Sequence, residues 1–291
     1  MTDLTSSDRL LSRATPTSGR PVRKDEIELP DRGLYIKSWL PERRSRRKPL
    51  LFVHGELGGS WVWERYLHHF AGRGWEGHAL NLRNHFWSQT ADPTTLDVGT
   101  YTEDVVAALE RLGPSTVAVG HGLGGLLVLK AIERVSVSAY ALIAPELPKE
   151  VRDPVRLHVV RDVPDAYGRA ALGWETLPEK LQREHRDLTL ADVLRIQHLL
   201  GQKAFESGRM KRQVLQGVPV DRSALPDVPR LVMSAGLDTY IPEAEVERLG
   251  EWLDAPYEPF GAHSHFGLVL GEQSYLQVAE TLRAFLETNR L

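Results

Sequence analysis

The stretch Thr116 to Lys130, T-V-A-V-G-H-G-L-G-G-L-L-V-L-K, carries the most specific chemical signal in the chain. A short β-branched run drops into Gly120-His121-Gly122-Leu123-Gly124-Gly125, and an apolar stretch of helical length follows at once. A strand turning sharply into a helix, with glycines that let backbone pass close to backbone, is a device for lifting one side chain into a cleft as a nucleophile. Its pattern is G-x-S-x-G. Here the central position is Gly122, which has no side chain to lift. The groups suited to acid–base work lie far downstream. Asp238 sits in Ser234-Ala235-Gly236-Leu237-Asp238-Thr239-Tyr240-Ile241-Pro242, and His263 and His265 sit in Gly261-Ala262-His263-Ser264-His265-Phe266.

These groups need a sizeable scaffold, and 291 residues with 42 % hydrophobic and 26 % charged content supply one of ordinary globular character. The formal charge of −3 gives no basis for a nucleic-acid partner. With no cysteine, the chain has no disulfide, thiolate nucleophile or Cys-based zinc site. No apolar run approaches the roughly 18 residues of a membrane span, and the N-terminus has no apolar signal core, so the expected location is cytoplasmic, away from any membrane.

Residues 1–23 contain eight Ser or Thr and little to bury, so a flexible tail is expected there. Ile27, Leu29, Leu34, Ile36 and Trp39, strung around Pro30-Asp31-Arg32-Gly33, predict an opening β-hairpin. The basic run Arg43, Arg44, Arg46, Arg47 and Lys48 between Pro41 and Pro49 reads as a solvated loop. Leu50 to Val53 is a short buried strand, followed by a helix for which Ser60 is the expected cap. Further strands are expected over Gly77 to Leu82, Thr116 to Val119 and Ala139 to Ala144. A helix is expected over Tyr101 to Leu112, from the spacing of Val105, Val106, Ala108, Leu109 and Leu112. Strands alternating with helices imply a parallel sheet covered on both faces. The alternation stops over residues 146–226, which read as helical pieces, notably Leu190 to Leu200. It resumes with strands at Arg230 to Ser234 and Pro256 to Phe260, and a last helix over Gln273 to Thr288. An inserted helical segment above the carboxyl ends of parallel strands is where a lid or cap belongs. The expected layout is therefore an α/β core over residues 24–145 and 227–291 with a helical lid over 146–226.

Taken together, the motifs resemble the α/β-hydrolase superfamily. Val53-His54-Gly55-Glu56-Leu57-Gly58-Gly59 is similar to the oxyanion loop after the third strand, and Leu82 to Ser88 is similar to the loop written L-R-G-H-G-x-S. Gly120 to Gly125 resembles the elbow G-H-S-x-G-G, Ser234 to Pro242 resembles the G-x-x-D-x-x-x-P stretch that supplies the triad acid, and Gly261 to Phe266 resembles the loop of the triad histidine. Elbow, acid and histidine come in the superfamily's order. The fold this implies is an α/β-hydrolase fold, mostly parallel, with helices on both faces and a helical lid insertion.

The resemblance implies catalytic positions at Gly122, Asp238 and His265. His265 is favoured over His263 by its distance from the last helix, and Glu146, just after a strand, is the alternative acid. It implies oxyanion-hole amides at Glu56 and Leu123, and a substrate pocket near His54, Trp61, His121, Phe86, Trp87 and Trp174. His54 and His121 read as backbone hydrogen-bonding residues beside the site. The expected ligand is a small, apolar or aromatic molecule, with no cofactor and no metal. Gly120-x-Gly122-x-x-Gly125 formally matches a dinucleotide fingerprint, but it does not open the first βα unit, where that fingerprint belongs. Without a serine no acyl-enzyme can form at Gly122. Three possibilities are left: an enzyme using His265 and Asp238 as a general-base pair, a ligand-binding pseudo-enzyme, and a serine hydrolase inactivated by replacement at Gly122.

Overall fold

The computed structural model describes residues 22–43, 45–202 and 205–291. The tail expected over residues 1–23 lies outside them except for Val22 and Arg23, which open the first strand. That strand, β1 (Val22–Leu29), pairs antiparallel with β2 (Leu34–Pro41) across the turn at Pro30–Arg32, where Gly33 takes a left-handed φ of +64°. Next come β3 (Leu50–Val53), α1 (Glu64–Ala71), β4 (Gly77–Asn81), α2 (Val98–Leu112), β5 (Val117–His121), α3 (Leu123–Ile132) and β6 (Ala139–Ile143). The stretch that follows holds α4 (Leu157–Arg161), β7 (Ala166–Tyr167), α5 (Pro178–Glu184), α6 (Leu190–Gly201), β8 (Glu206–Ser207) and α7 (Gly208–Gln216). The chain closes with β9 (Arg230–Ala235), α8 (Glu243–Leu253), β10 (Tyr257–Phe260), α9 (Gly267–Leu270) and α10 (Ser274–Thr288).

The main sheet runs β1-β2-β4-β3-β5-β6-β9-β10. β2 pairs antiparallel with β4, and every neighbour from β4 to β10 is parallel. Strand periodicity divides the core. Leu50 and Phe52 of β3 join Tyr66, Leu67, Phe70, Val278, Leu282 and Leu286 on one face. Leu51 and Val53 join Val105, Leu109, Leu126, Leu127, Val246 and Leu249 on the other. Both faces are covered, so the central strands are apolar along their whole length rather than alternating.

Two local expectations are corrected. Ser60 does not cap a helix: it begins a 3-10 turn, Ser60–Trp63, and its amide donates to Asn81 Oδ1 at 2.6 Å. The helix read from Tyr101 starts at Val98, because Asp97 caps it by accepting from the Thr100 amide at 2.8 Å. In the basic loop, Arg47 is only partly solvated: its guanidinium lies 3.6 Å from the Trp75 ring centroid, and it pairs with Glu287 at 3.7 Å.

Backbone packs closely against backbone at the β5–α3 turn. A Cβ on Gly124 would fall 2.3 Å from the Val53 carbonyl oxygen and 2.6 Å from that of His54. These obstacles are backbone and cannot rotate away. Gly124→Ala is expected to cost about 3 kcal/mol, the upper end of the usual overpacking cost, since the obstacles are backbone. Gly99→Ala, whose Cβ meets nothing nearer than Asp97 Oδ1 at 3.4 Å, should leave the melting temperature unchanged or slightly raised. Thermal unfolding of the two variants checks this, and equal melting temperatures would refute it.

Candidate active site

The loops that leave β3, β4, β5, β6, β9 and β10 all emerge at the carboxyl edge of the parallel strands, where open α/β sheets form their clefts. β5 ends at His121 and α3 begins at Leu123, so Gly122 alone makes the turn. Its φ of +54° and ψ of −125° form a conformation that strains any residue with a Cβ. The turn is tied down at both peptide groups: Gly122 N donates to the Ile143 carbonyl at 3.2 Å, and its own carbonyl accepts from the Glu146 amide at 2.8 Å. A Cβ built on Gly122 would sit 3.2 Å from His265 Nε2.

His265 is oriented from two sides. Its Nδ1 lies 2.7 Å from Asp238 Oδ2, while Asp238 Oδ1 accepts from the amides of Tyr240 at 2.8 Å and Ile241 at 3.0 Å. A neutral ring that donates Nδ1–H to the carboxylate leaves the Nε2 lone pair toward Gly122. The His265 carbonyl is held by His121, whose Nε2 lies 3.1 Å away. Burial holds the His121 ring pKa well below the usual imidazole value, so it stays neutral and can donate that bond. His54 is also kept neutral, at about 3, chiefly by burial; it accepts from the Leu82 amide at 3.2 Å and bonds the Gly55 carbonyl at 2.8 Å.

The amides of Leu123, at the start of α3, and Glu56, in the β3 loop, are used by no hydrogen bond among the described residues, and both residues line the cleft. The β3 loop is held from the stretch between β6 and β9. Glu206 of β8, fully buried, accepts from the Leu57 amide at 3.0 Å and the Tyr101 hydroxyl at 2.7 Å, and lies 3.1 Å from His85 Nε2. Burial alone would raise the Glu206 pKa, but His85 and these donors hold it down at about 2. Against the same desolvation, Glu206 raises the His85 pKa, so the two form a buried ion pair. Leu57, at φ +55°, is locked in a left-handed conformation by this anchor.

The cleft lining includes Trp61, Val62, His121, Gly122, Leu123, Leu172, Leu200, Tyr240, Ile241, His265 and Phe266. Its free space is about 530 Å³ including the open mouth. Of the six expected pocket residues, only Trp61 and His121 are part of this lining. His54 lies behind the β3 loop, because both ring nitrogens are spent on backbone. Phe86 packs beside Trp61, with centroids 6.2 Å apart. Trp87 turns outward, 66 % exposed, against Tyr35. Trp174 is fully buried behind the lining, edge-on to Phe266, and donates to the Tyr240 hydroxyl at 3.0 Å. His263 packs against Phe260, neither ring nitrogen bonded among the described residues, and Glu146 is paired with Arg152 and Lys211. Sequence reading missed Glu206, Lys211, Leu172 and Leu200, which reach the site from a region without motifs. Tyr240 and Phe266 lie inside motifs that were recognised for other residues.

The model of the alpha/beta hydrolase family matches residues 50–281. The chain belongs to that family. Among curated proteins it is similar to the esterase PIR7B of Oryza sativa subsp. japonica, 34 % identical over 113 residues, a match covering 36 % of this chain and 41 % of that esterase. Among solved structures it is similar to a bromoperoxidase from Bacillus anthracis, at TM-score 0.69 and 15 % identity over 91 % of this chain and all of that one. A putative aryl esterase from Burkholderia cenocepacia aligns at TM-score 0.64 and 16 % identity, over 91 % of this chain and 100 % of that one. At such identities these structures bear on the fold, an alpha/beta hydrolase fold with esterase-like neighbours. No described helix is long and apolar enough to cross a membrane.

The buried pair carries a pH signature. Depressed to about 2 in the fold, Glu206 contributes its full stability above its ordinary value of 4.5, and loses it as pH falls toward about 2. His85, raised in the fold, contributes fully below its ordinary 6.5 and loses that contribution as pH climbs through the raised value. Glu206→Gln should lower stability in urea by about 3 kcal/mol at pH 7. An unchanged midpoint at pH 7 would show that the pair carries no stability.

Proposed function

We propose that this protein hydrolyses a small, predominantly apolar or aromatic ester without a covalent intermediate, using His265 and Asp238 as a general-base pair. One observation carries the reading: His265 Nε2, backed by Asp238, faces a cleft position that is empty of side chain, 3.2 Å from where a Cβ of residue 122 would stand. A water there lies within reach of the base. His265 takes its proton as the oxygen attacks the ester carbonyl, and the new C–O bond forms while the carbonyl electrons move to oxygen. The amides of Leu123 and Glu56 hold that oxyanion. The tetrahedral species then collapses, the bond to the leaving oxygen breaks, and His265 returns the proton to it. Residues 146–226 act as the lid, contributing Leu172 and Leu200 to the lining. The similarity to esterases supports an ester substrate, and no cofactor or metal is required.

A second reading, a serine hydrolase whose nucleophile has been replaced, is favoured by the backbone at residue 122. Its φ and ψ would aim a side chain at His265, a costly conformation that glycine alone does not need. Loss of such a serine lowers turnover on the order of a millionfold, leaving on the order of a thousandfold over water.

Short p-nitrophenyl esters separate the two readings. The native chain should hydrolyse them slowly, and His265→Ala should lower that rate by about a hundredfold or more. Gly122→Ser should raise esterase activity by about a thousandfold or more. Unchanged turnover in His265→Ala would rule out the general-base step, and a folded but inert Gly122→Ser would rule out an intact oxyanion framework. Native inactivity together with an active serine variant would establish the second reading.

A further inference from the structure

One charged cluster in the cleft is used by neither reading. Lys211 of α7 lines the cleft together with Glu56 and Glu146. Its Nζ donates to Glu56 Oε1 at 2.6 Å and to Glu146 Oε1 at 3.1 Å. The remaining carboxylate oxygens are also engaged: Glu56 Oε2 accepts from the Tyr167 hydroxyl at 2.6 Å, and Glu146 Oε2 pairs with Arg152. The cluster lies beside the turn, since the Glu146 amide bonds the Gly122 carbonyl. An ammonium has three N–H donors, and this one spends two among the described residues. The four charges sum to zero: carboxylates at 56 and 146, an ammonium at 211 and a guanidinium at 152. Despite burial, the two carboxylates hold the Lys211 pKa above its ordinary value, and Lys211 and Arg152 hold that of Glu146 below its own.

We propose that the third N–H of Lys211 is a substrate-recognition donor for a neutral acceptor, a carbonyl, ether or hydroxyl oxygen, on an otherwise apolar small molecule. This rests on the reading of the cleft as a binding site for a small substrate, and it names the polar feature such a molecule must carry. The physical reason is the balance of charge. A neutral acceptor gains a charge-assisted hydrogen bond while leaving the cluster neutral. A free carboxylate would bring a third negative charge into a low-dielectric space beside Glu56 and Glu146, with no cation left over to match it. A free ammonium would set a second positive charge beside Lys211. Val62, Leu172, Leu200 and Ile241 in the same lining offer apolar contact to the rest of the molecule.

The test is binding to the full native chain, which needs no turnover. Saturation-transfer NMR at pH 7 would compare 2-pentanone, butyrate and butylammonium, probes of similar size that differ in the head group. The ketone is expected to bind at least about tenfold more tightly than either ion, a difference of about 1.4 kcal/mol. In Lys211→Gln, ketone binding should weaken about fivefold or more. Binding of butyrate or butylammonium as tight as that of the ketone would overturn the proposal, as would failure of all three to bind, or unchanged ketone affinity in a folded Lys211→Gln. If that variant does not fold, the ranking on the native chain decides. An inert Gly122→Ser would count against the catalytic reading alone, because the ranking does not depend on it.

Discussion

At the β5–α3 turn the backbone runs closer to its neighbours than any Cβ permits. A Cβ on Gly120 would lie 2.4 Å from the Gly124 carbonyl oxygen, one on Gly124 would meet the Val53 carbonyl, and one on Gly125 would lie 2.5 Å from Pro145 Cβ. Through these contacts the ends of β3, β5 and β6 are pressed onto the start of α3. The loops carrying Glu56, Gly122 and Glu146 thereby come into one cleft. The open positions at the end of the sheet follow from that contact, and so do the amides of Glu56 and Leu123, which no hydrogen bond among the described residues uses.

Around this packed turn the chain uses histidines in two ways. His54 and His121 are buried, neutral, and spent on holding backbone, with their pKa values pushed down by desolvation. His265 differs because one of its nitrogens is matched to a carboxylate and the other faces the cleft. Residue type alone does not separate these roles. Solvation and the partner of each nitrogen do.

The stretch between β6 and β9 is tied into the β3 loop by buried charge. Glu206 holds the Leu57 amide, and Lys211 and Tyr167 hold the Glu56 carboxylate. Buried ion pairs cost desolvation, so their contribution to net stability is modest, but breaking one leaves an unmatched charge inside the protein. Such contacts fix position strongly. Here they couple the placement of the proposed oxyanion amide to elements more than a hundred residues away in sequence.

The order of strands and helices, the glycine turn, the Asp238 and His265 motifs and the family resemblance were legible in the sequence, because each depends on short-range spacing: period two in strands, 3.6 in helices, and glycine where backbones touch. The identity of residue 122 was legible too, and with it the absence of a side chain at the turn. Tertiary structure decided which aromatic residues reach the cleft. Trp61 lines it while Trp87 points outward and Trp174 stands behind Phe266, since orientation at a loop depends on what packs against it. Structure also brought Glu206 and Lys211 to the site, for a carboxylate or an ammonium in a segment without periodic signal acquires meaning only from the charge placed opposite it.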